Sequence, residues 1–232
     1  MKISTLVLSP LSTNCYLVKT GDNSGVVIDP ADKASAIIKE ADKLGIRIEK
    51  ILLTHGHFDH FSAAGKLRDE IKKAEKKAAK EIGEVYAERE IPVYIHKDDS
   101  CMLEDSNKSL AYFCPSIPFT PLTADVLLSD GTEIRQDGIV FSVMHTPGHS
   151  AGSVCYIVKD EKKNIMFSGD TIFRDSIGRS DGYSGDYIVQ KDTLRKLTEL
   201  TEDYIILPGH GEPTTLSEEK IYNPFINGQY QL

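Results

Sequence analysis

The chain has 232 residues, 40% of them hydrophobic and 27% charged, which is enough apolar content for a buried core and too much for a disordered polymer. Its formal net charge of −8 repels a phosphate backbone, so no nucleic-acid partner is expected. No apolar run approaches the roughly 20 residues that a membrane span needs, and a single domain covering residues 1–232 is expected.

Met1 to Pro10 has one basic residue before a short apolar stretch, interrupted by Ser4 and Thr5. That pattern reads as a first strand rather than an export signal. Cys15–Val18 is a second strand, and Gly25–Asp29 a third that stops at Pro30. Lys33–Leu44 has apolar residues at Ala34, Ile37, Ile38, Ala41 and Leu44, the spacing of an amphipathic helix, with Gly45 as its stop. Ile48–Thr54 is a buried strand running into His55.

Ser62–Glu90 reads as helical, with Gly83 marking a break into two helices. Between Lys66 and Glu90 there are 8 basic and 7 acidic residues, so this is a solvated face rather than a basic patch. Ile91–His96 is another strand. Asp98–Thr123 is irregular, rich in proline and aromatics, and is expected to wall a pocket. Short strands follow at Val126–Leu128, Ile139–His145, Ser153–Val158 and Asn164–Ser168. Asp186–Leu200 is a helix through Ile188, Leu194 and Leu197, and Tyr204–Leu207 is a last strand. Four cysteines, Cys15, Cys101, Cys114 and Cys155, form no C-x-x-C pair. They read as reduced thiols, mostly core, in a cytoplasmic protein.

The chemistry concentrates in Thr54-His55-Gly56-His57-Phe58-Asp59-His60. A lone histidine is ordinarily surface or core filler. Three histidines and an aspartate within six residues at a strand end are a ligand set for a divalent metal. His149, Asp170 and His210 each follow an apolar run and a glycine at the end of a later strand, giving seven donors in all. Of the remaining histidines, His145 reads as structural or supporting, with a third-metal or acid role as the alternative, and His96 receives no function.

The order His55-x-His57-x-Asp59-His60, then His149, Asp170 and His210, resembles the metallo-β-lactamase superfamily over nearly the whole chain. Within it, Thr13–Leu17, His145–Ser150, Gly169–Phe173, Ser176–Ser180 and Pro208–Thr215 are similar to glyoxalase II-type hydrolases of the short bacterial kind. The resemblance implies an α/β (α+β) fold, a four-layer αββα sandwich. It implies a first metal on His55, His57 and His149, a second on Asp59, His60 and His210, and Asp170 bridging them. Two divalent ions per chain are expected, zinc first, with iron or manganese as alternatives. Such a pair acidifies a shared water, and Asp59 would also orient the attacking hydroxide.

The implied activity is hydrolysis of a small-molecule thioester such as S-lactoylglutathione. An iron persulfide dioxygenase, a lactonase and a β-lactamase of the same superfamily are the alternatives. The N-terminus counts against an exported β-lactamase. The 22 residues after His210 leave room for one short helix, Leu216–Ile221, so recognition of the glutathione tripeptide is expected to be reduced. The sequence assigns no oligomeric state.

Overall fold

The computed structural model describes residues 1–8, 10–160 and 163–228. Strands β1 (Lys2–Leu8), β2 (Thr13–Lys19) and β3 (Ser24–Ile28) lead to helix α1 (Ala34–Leu44) and β4 (Arg47–Leu52). A short helix α2 (Phe58–Phe61), the long α3 (Ala64–Glu81), β5 (Val93–His96) and β6 (Val126–Leu128) complete the first half. The second half holds β7 (Glu133–Gln136), β8 (Ile139–His145), β9 (Val154–Asp160), β10 (Lys163–Gly169) and the small hairpin β11 (Ile172–Phe173) and β12 (Ser176–Ile177). It ends with α4 (Tyr187–Glu199), β13 (Ile205–Pro208), β14 (Thr214–Thr215) and α5 (Leu216–Tyr222).

Two six-stranded sheets result, ordered β1-β2-β3-β4-β5-β6 and β14-β13-β10-β9-β8-β7. In the first, β3, β4, β5 and β6 are parallel, with α1 and α3 as the first two crossovers that parallel neighbours require and the segment between His96 and Val126 as the third. Most inner strands carry apolar residues on both faces. In β2, Cys15 and Leu17 pack under the helices α1 and α3, while Tyr16 and Val18 point at the other sheet. That is why these strands read in the sequence as unbroken apolar runs rather than alternating ones.

Three apolar clusters fill the spaces between the layers. Ile37, Ile51, Leu67 and Ile95 join α1 and α3 to the first sheet. Val26, Leu52, Phe141, Tyr156 and Phe167 lie between the sheets. Met166, Leu194, Leu197, Ile206 and Leu216 join α4 and α5 to the second sheet. The architecture is therefore the four-layer αββα sandwich of the metallo-β-lactamase fold.

Some local expectations are corrected. The long helix ends at Glu81, and residues 84–90 are not helical. Gly83 takes φ +75°, so it turns the chain out of the helix instead of separating two. Ile82 and Val85, which keep helical spacing in the sequence, are exposed. The return segment is held by charge: Lys72 Nζ pairs with Glu88 at 2.9 Å and Arg89 with Glu75 at 2.8 Å. Ile188 is also exposed, in the first turn of α4, and Gln190 and Thr193 are buried there with Leu194. Only Cys15 and Cys155 of the four free cysteines are core residues, while Cys101 is exposed.

Candidate metal centre

β8, β10 and β13 run in one direction, since β8 and β10 each pair antiparallel with β9 and β10 pairs parallel with β13. Their carboxyl ends deliver His149, Asp170 and His210 to one edge of the sandwich. β4 delivers His55 to the same edge, and α2 follows at once with Asp59 and His60 in its single turn. The sheets are tied together there: Val154 N–H donates to Thr54 O at 2.9 Å, and Tyr16 Oη and Asn14 Nδ2 both donate to Pro208 O. All seven residues singled out in the sequence come together at this edge.

Six of them fall into two triads, with Asp170 between. His55, His57 and His149 present ring nitrogens 2.8–3.2 Å apart, close to the roughly 3.3 Å between ligands of a tetrahedral zinc with bonds of about 2.0–2.1 Å. Asp59, His60 and His210 form the other, with His60 Nε2 at 3.6 Å and His210 Nε2 at 3.4 Å from Asp59 Oδ2. Asp170 lies between them. Its Oδ1 is 3.5 Å from His60 Nε2, and its Oδ2 is 3.6 Å from His149 Nε2 and 3.5 Å from His210 Nε2.

The outer nitrogens of four imidazoles are committed as donors. His149 Nδ1 donates to Arg179 O (2.6 Å), His60 Nδ1 to Asp29 Oδ2 (2.9 Å) and His210 Nδ1 to Leu11 O (3.1 Å). The Thr54 hydroxyl gives its proton to Asp29 Oδ2, so it accepts from His55 Nδ1 at 3.0 Å. Each of these rings therefore turns a lone pair on Nε2 inward, the arrangement that metal-ligating histidines have. The inward-facing Nε2 of His60 and the Oδ1 of Asp170 have no hydrogen-bond partner, and neither does the outer Nε2 of His57, whose Nδ1 is the nitrogen turned inward. Several lone pairs crowded together in a buried site repel one another, and cations resolve that repulsion. The donor set thus fits a dinuclear metal site.

The electrostatics differ between the two ends. Burial, then the neighbouring imidazoles, push His55 and His57 well below the usual histidine range, which keeps them neutral and free to ligate. Burial also opposes charge on His60, but Asp59, Asp170 and Asp29 outweigh it and raise its pKa to about 10. Asp59 is held well below the carboxylate range: burial opposes this, and His60, His210 and Thr13 overcome it. The aspartate end thus calls for a positive charge.

Several supporting residues were not singled out by the sequence reading. Asp29 accepts from His60, from the Thr54 hydroxyl and from Thr54 N–H (2.8 Å), and it is fully buried. Asp99 accepts from Gly56 N–H (2.9 Å), Ser150 Oγ (2.6 Å) and Gly152 N–H (2.6 Å), bracing the backbone beside His55, His57 and His149. Thr13 Oγ1 donates to Asp59 Oδ2 at 2.8 Å. The one available signal was an aspartate closing an apolar strand, which Asp29 is. Gly209 is required by space, because a Cβ there would lie 2.2 Å from Asp170 Oδ1.

A cavity of about 380 Å³ opens onto the cluster. His57, Asp59, His149, Asp170 and His210 form its floor, and Leu11, Phe58, Leu110, Phe113, Phe173, Gly178 and Arg179 its wall. Leu110 and Phe113 belong to the irregular segment that was expected to wall a pocket.

Fold and site define a metal-dependent hydrolase class, and the comparisons agree. Residues 8–210 match the model of the metallo-beta-lactamase superfamily. The hydroxyacylglutathione hydrolase GloC of Haemophilus influenzae is 30% identical over 99% of this chain and 100% of its own length. The crystal structure of BLEG-1, a B3 metallo-beta-lactamase, superposes with a TM-score of 0.83 at 34% identity, over 98% of this chain and 100% of that one. The crystal structure of TTHA1623 in a di-iron-bound form gives 0.74 at 33% identity, over 96% and 99%. This chain belongs to the metallo-β-lactamase superfamily. No described helix is long and apolar enough to cross a membrane.

Proposed function

We propose that the chain hydrolyses small-molecule thioesters of the hydroxyacylglutathione type, using two divalent ions held by His55, His57 and His149 and by Asp59, His60 and His210, with Asp170 shared. The observation that carries this reading is the convergence of seven donors, with lone pairs aimed inward, beneath a largely apolar cavity. The full-length similarity to a hydroxyacylglutathione hydrolase supports the substrate class. Zinc suits the imidazole-rich donor set, and iron is the alternative that the di-iron form of the similar structure supports.

Bound there, the ions supply Lewis acidity and a water acidified enough to act as nucleophile near neutral pH. The chain does the rest. Among the described residues lining the cavity there is no serine, cysteine or lysine, so water is the attacking group. Asp59 stays ionised, and its carboxylate can accept a hydrogen bond from that water and fix its orientation. The Asp29, Thr54, Arg179 and Leu11 contacts hold the imidazoles in one tautomer, so no reorganisation accompanies the reaction. Leu11, Leu110, Phe113 and Phe173 receive the apolar part of the thioester and exclude water around the carbonyl.

Arg179 is the one cation lining the cavity among the described residues, and it is already paired with Asp181 at 2.6 and 2.8 Å. Helix α5 turns its polar contacts away from the cavity. Glu219 accepts from Asp175 N–H, and Asn223, just past the helix, donates to Phe173 O and Ser176 O. A tripeptide carrier therefore finds few charged partners. The test compares S-lactoylglutathione with the lactoyl thioester of a truncated thiol at matched metal loading. Hydrolysis of both, with less than about a hundredfold preference in kcat/KM (2.7 kcal/mol), is expected, and no hydrolysis of either would sink the reading. β-Lactam hydrolysis is the second reading, favoured by the similarity to BLEG-1. Turnover of a chromogenic cephalosporin faster than of either thioester would put it first.

A further inference from the structure

Five of the seven histidines belong to the centre described above. The other two, His96 and His145, lie against each other. Their rings stack with centroids 4.1 Å apart and planes within 11°. His96 ends β5 in the first sheet and His145 ends β8 in the second, so the pair spans the gap between the sheets. His96 is buried and His145 half-buried.

Their protons are assigned by their partners. His145 Nε2 donates to Ala151 O at 2.9 Å, which leaves its Nδ1 as a lone pair. His96 Nδ1 accepts from Asp98 N–H at 3.4 Å, so it too carries a lone pair, 3.5 Å from Asp98 Oδ2. One donor atom from each of His96, Asp98 and His145 lies within 4.8 Å of the other two. Asp130 stands beside them, accepting from His145 N–H at 2.8 Å. Two imidazoles and an adjacent carboxylate are a ligand set, with an N–H···O=C bond orienting one ring from behind as metal-bound histidines require.

We propose that His96, Asp98 and His145 form a further metal site, separate from the dinuclear centre, that takes one divalent ion of the zinc type with water completing its shell. Stacked rings aim their in-plane lone pairs along parallel planes, so closing the donors onto bonds of about 2.0–2.1 Å requires one ring to turn out of the stack, while Asp98, at the exposed surface, closes from the third side. The site is structural. It cross-links the two sheets and pins the turn Lys97–Met102, within which Asp99 braces Gly56, Ser150 and Gly152 beside the first triad. None of its three donors is among the seven of the dinuclear centre, so the site stands whether or not the thioesterase reading does.

The test uses the untagged full-length chain, stripped of metal, reloaded with zinc chloride and dialysed against metal-free buffer. Zinc per chain is measured by elemental analysis for the wild type, Asp98→Asn and His145→Asn. Each variant should hold one ion fewer than the wild type and lose part of the rise in Tm that zinc produces. Asp98→Asn changes an exposed, isosteric side chain, so it keeps the test valid if His145→Asn does not fold. In the Asp170→Ala background, Asp98→Asn should still remove one ion. Equal zinc counts in wild type and Asp98→Asn would overturn the proposal.

Discussion

At the floor of the cavity every imidazole but one is held from behind, by Asp29, Thr54, Arg179 O or Leu11 O. Asp99 fixes the loops between the donors through three hydrogen bonds. The mouth is built differently. Leu11, Tyr112 and Phe113 are 48%, 54% and 60% exposed. The Phe113 ring lies tilted against Tyr112, with ring centroids at 4.4 Å, in a segment whose regular structure is two 3₁₀ turns. Ligand geometry tolerates little error, so the floor is over-determined by hydrogen bonds. Apolar recognition tolerates much, so the mouth is left to loops, and relatives can share the floor while differing at the mouth.

The sharpest way to break this contrast is Asp170→Ala. It removes the carboxylate that reaches both triads, and it should cut turnover by several orders of magnitude and lower metal content. Circular dichroism and Tm should show a retained fold, because the side chain sits at a strand end outside the three apolar clusters. Full activity at an unchanged metal count would remove Asp170 from the site.

One shell out, Asp29→Asn should cost about 10–100-fold in metal affinity or activity. The amide can still accept from Thr54 N–H, but it no longer offers His60 Nδ1 a charged acceptor. Metal titration followed by activity at saturation separates the two effects. A variant indistinguishable from wild type in both would show that His60 needs no such support.

The mouth should respond least and most selectively. Phe113→Ala should leave metal content untouched and change kcat/KM by about tenfold or less (1.4 kcal/mol), mostly for thioesters with bulky apolar acyl groups. A change in bound metal, or an equal loss for every substrate tested, would mean that the mouth and the floor are coupled after all.

How far the sequence reaches follows the same division. The seven donors were legible because the chemistry restricts each position to histidine or aspartate, and because each follows an apolar strand that places it at a sheet edge. The four layers followed from the resemblance those donors carry, and the apolar runs agree with strands covered on both faces. The end of α3 was not legible, since residues 84–90 keep the apolar spacing of a helix. Only the positive φ of Gly83 and the Lys72 and Arg89 ion pairs set that boundary. Asp29 read only as the end of a strand and Asp99 only as part of an irregular segment, because what makes them matter is a contact 31 residues away in one case and 43 and more in the other. Nor could any local pattern bring His96 to His145. They end strands of different sheets, and only the packing of one sheet on the other places their rings face to face.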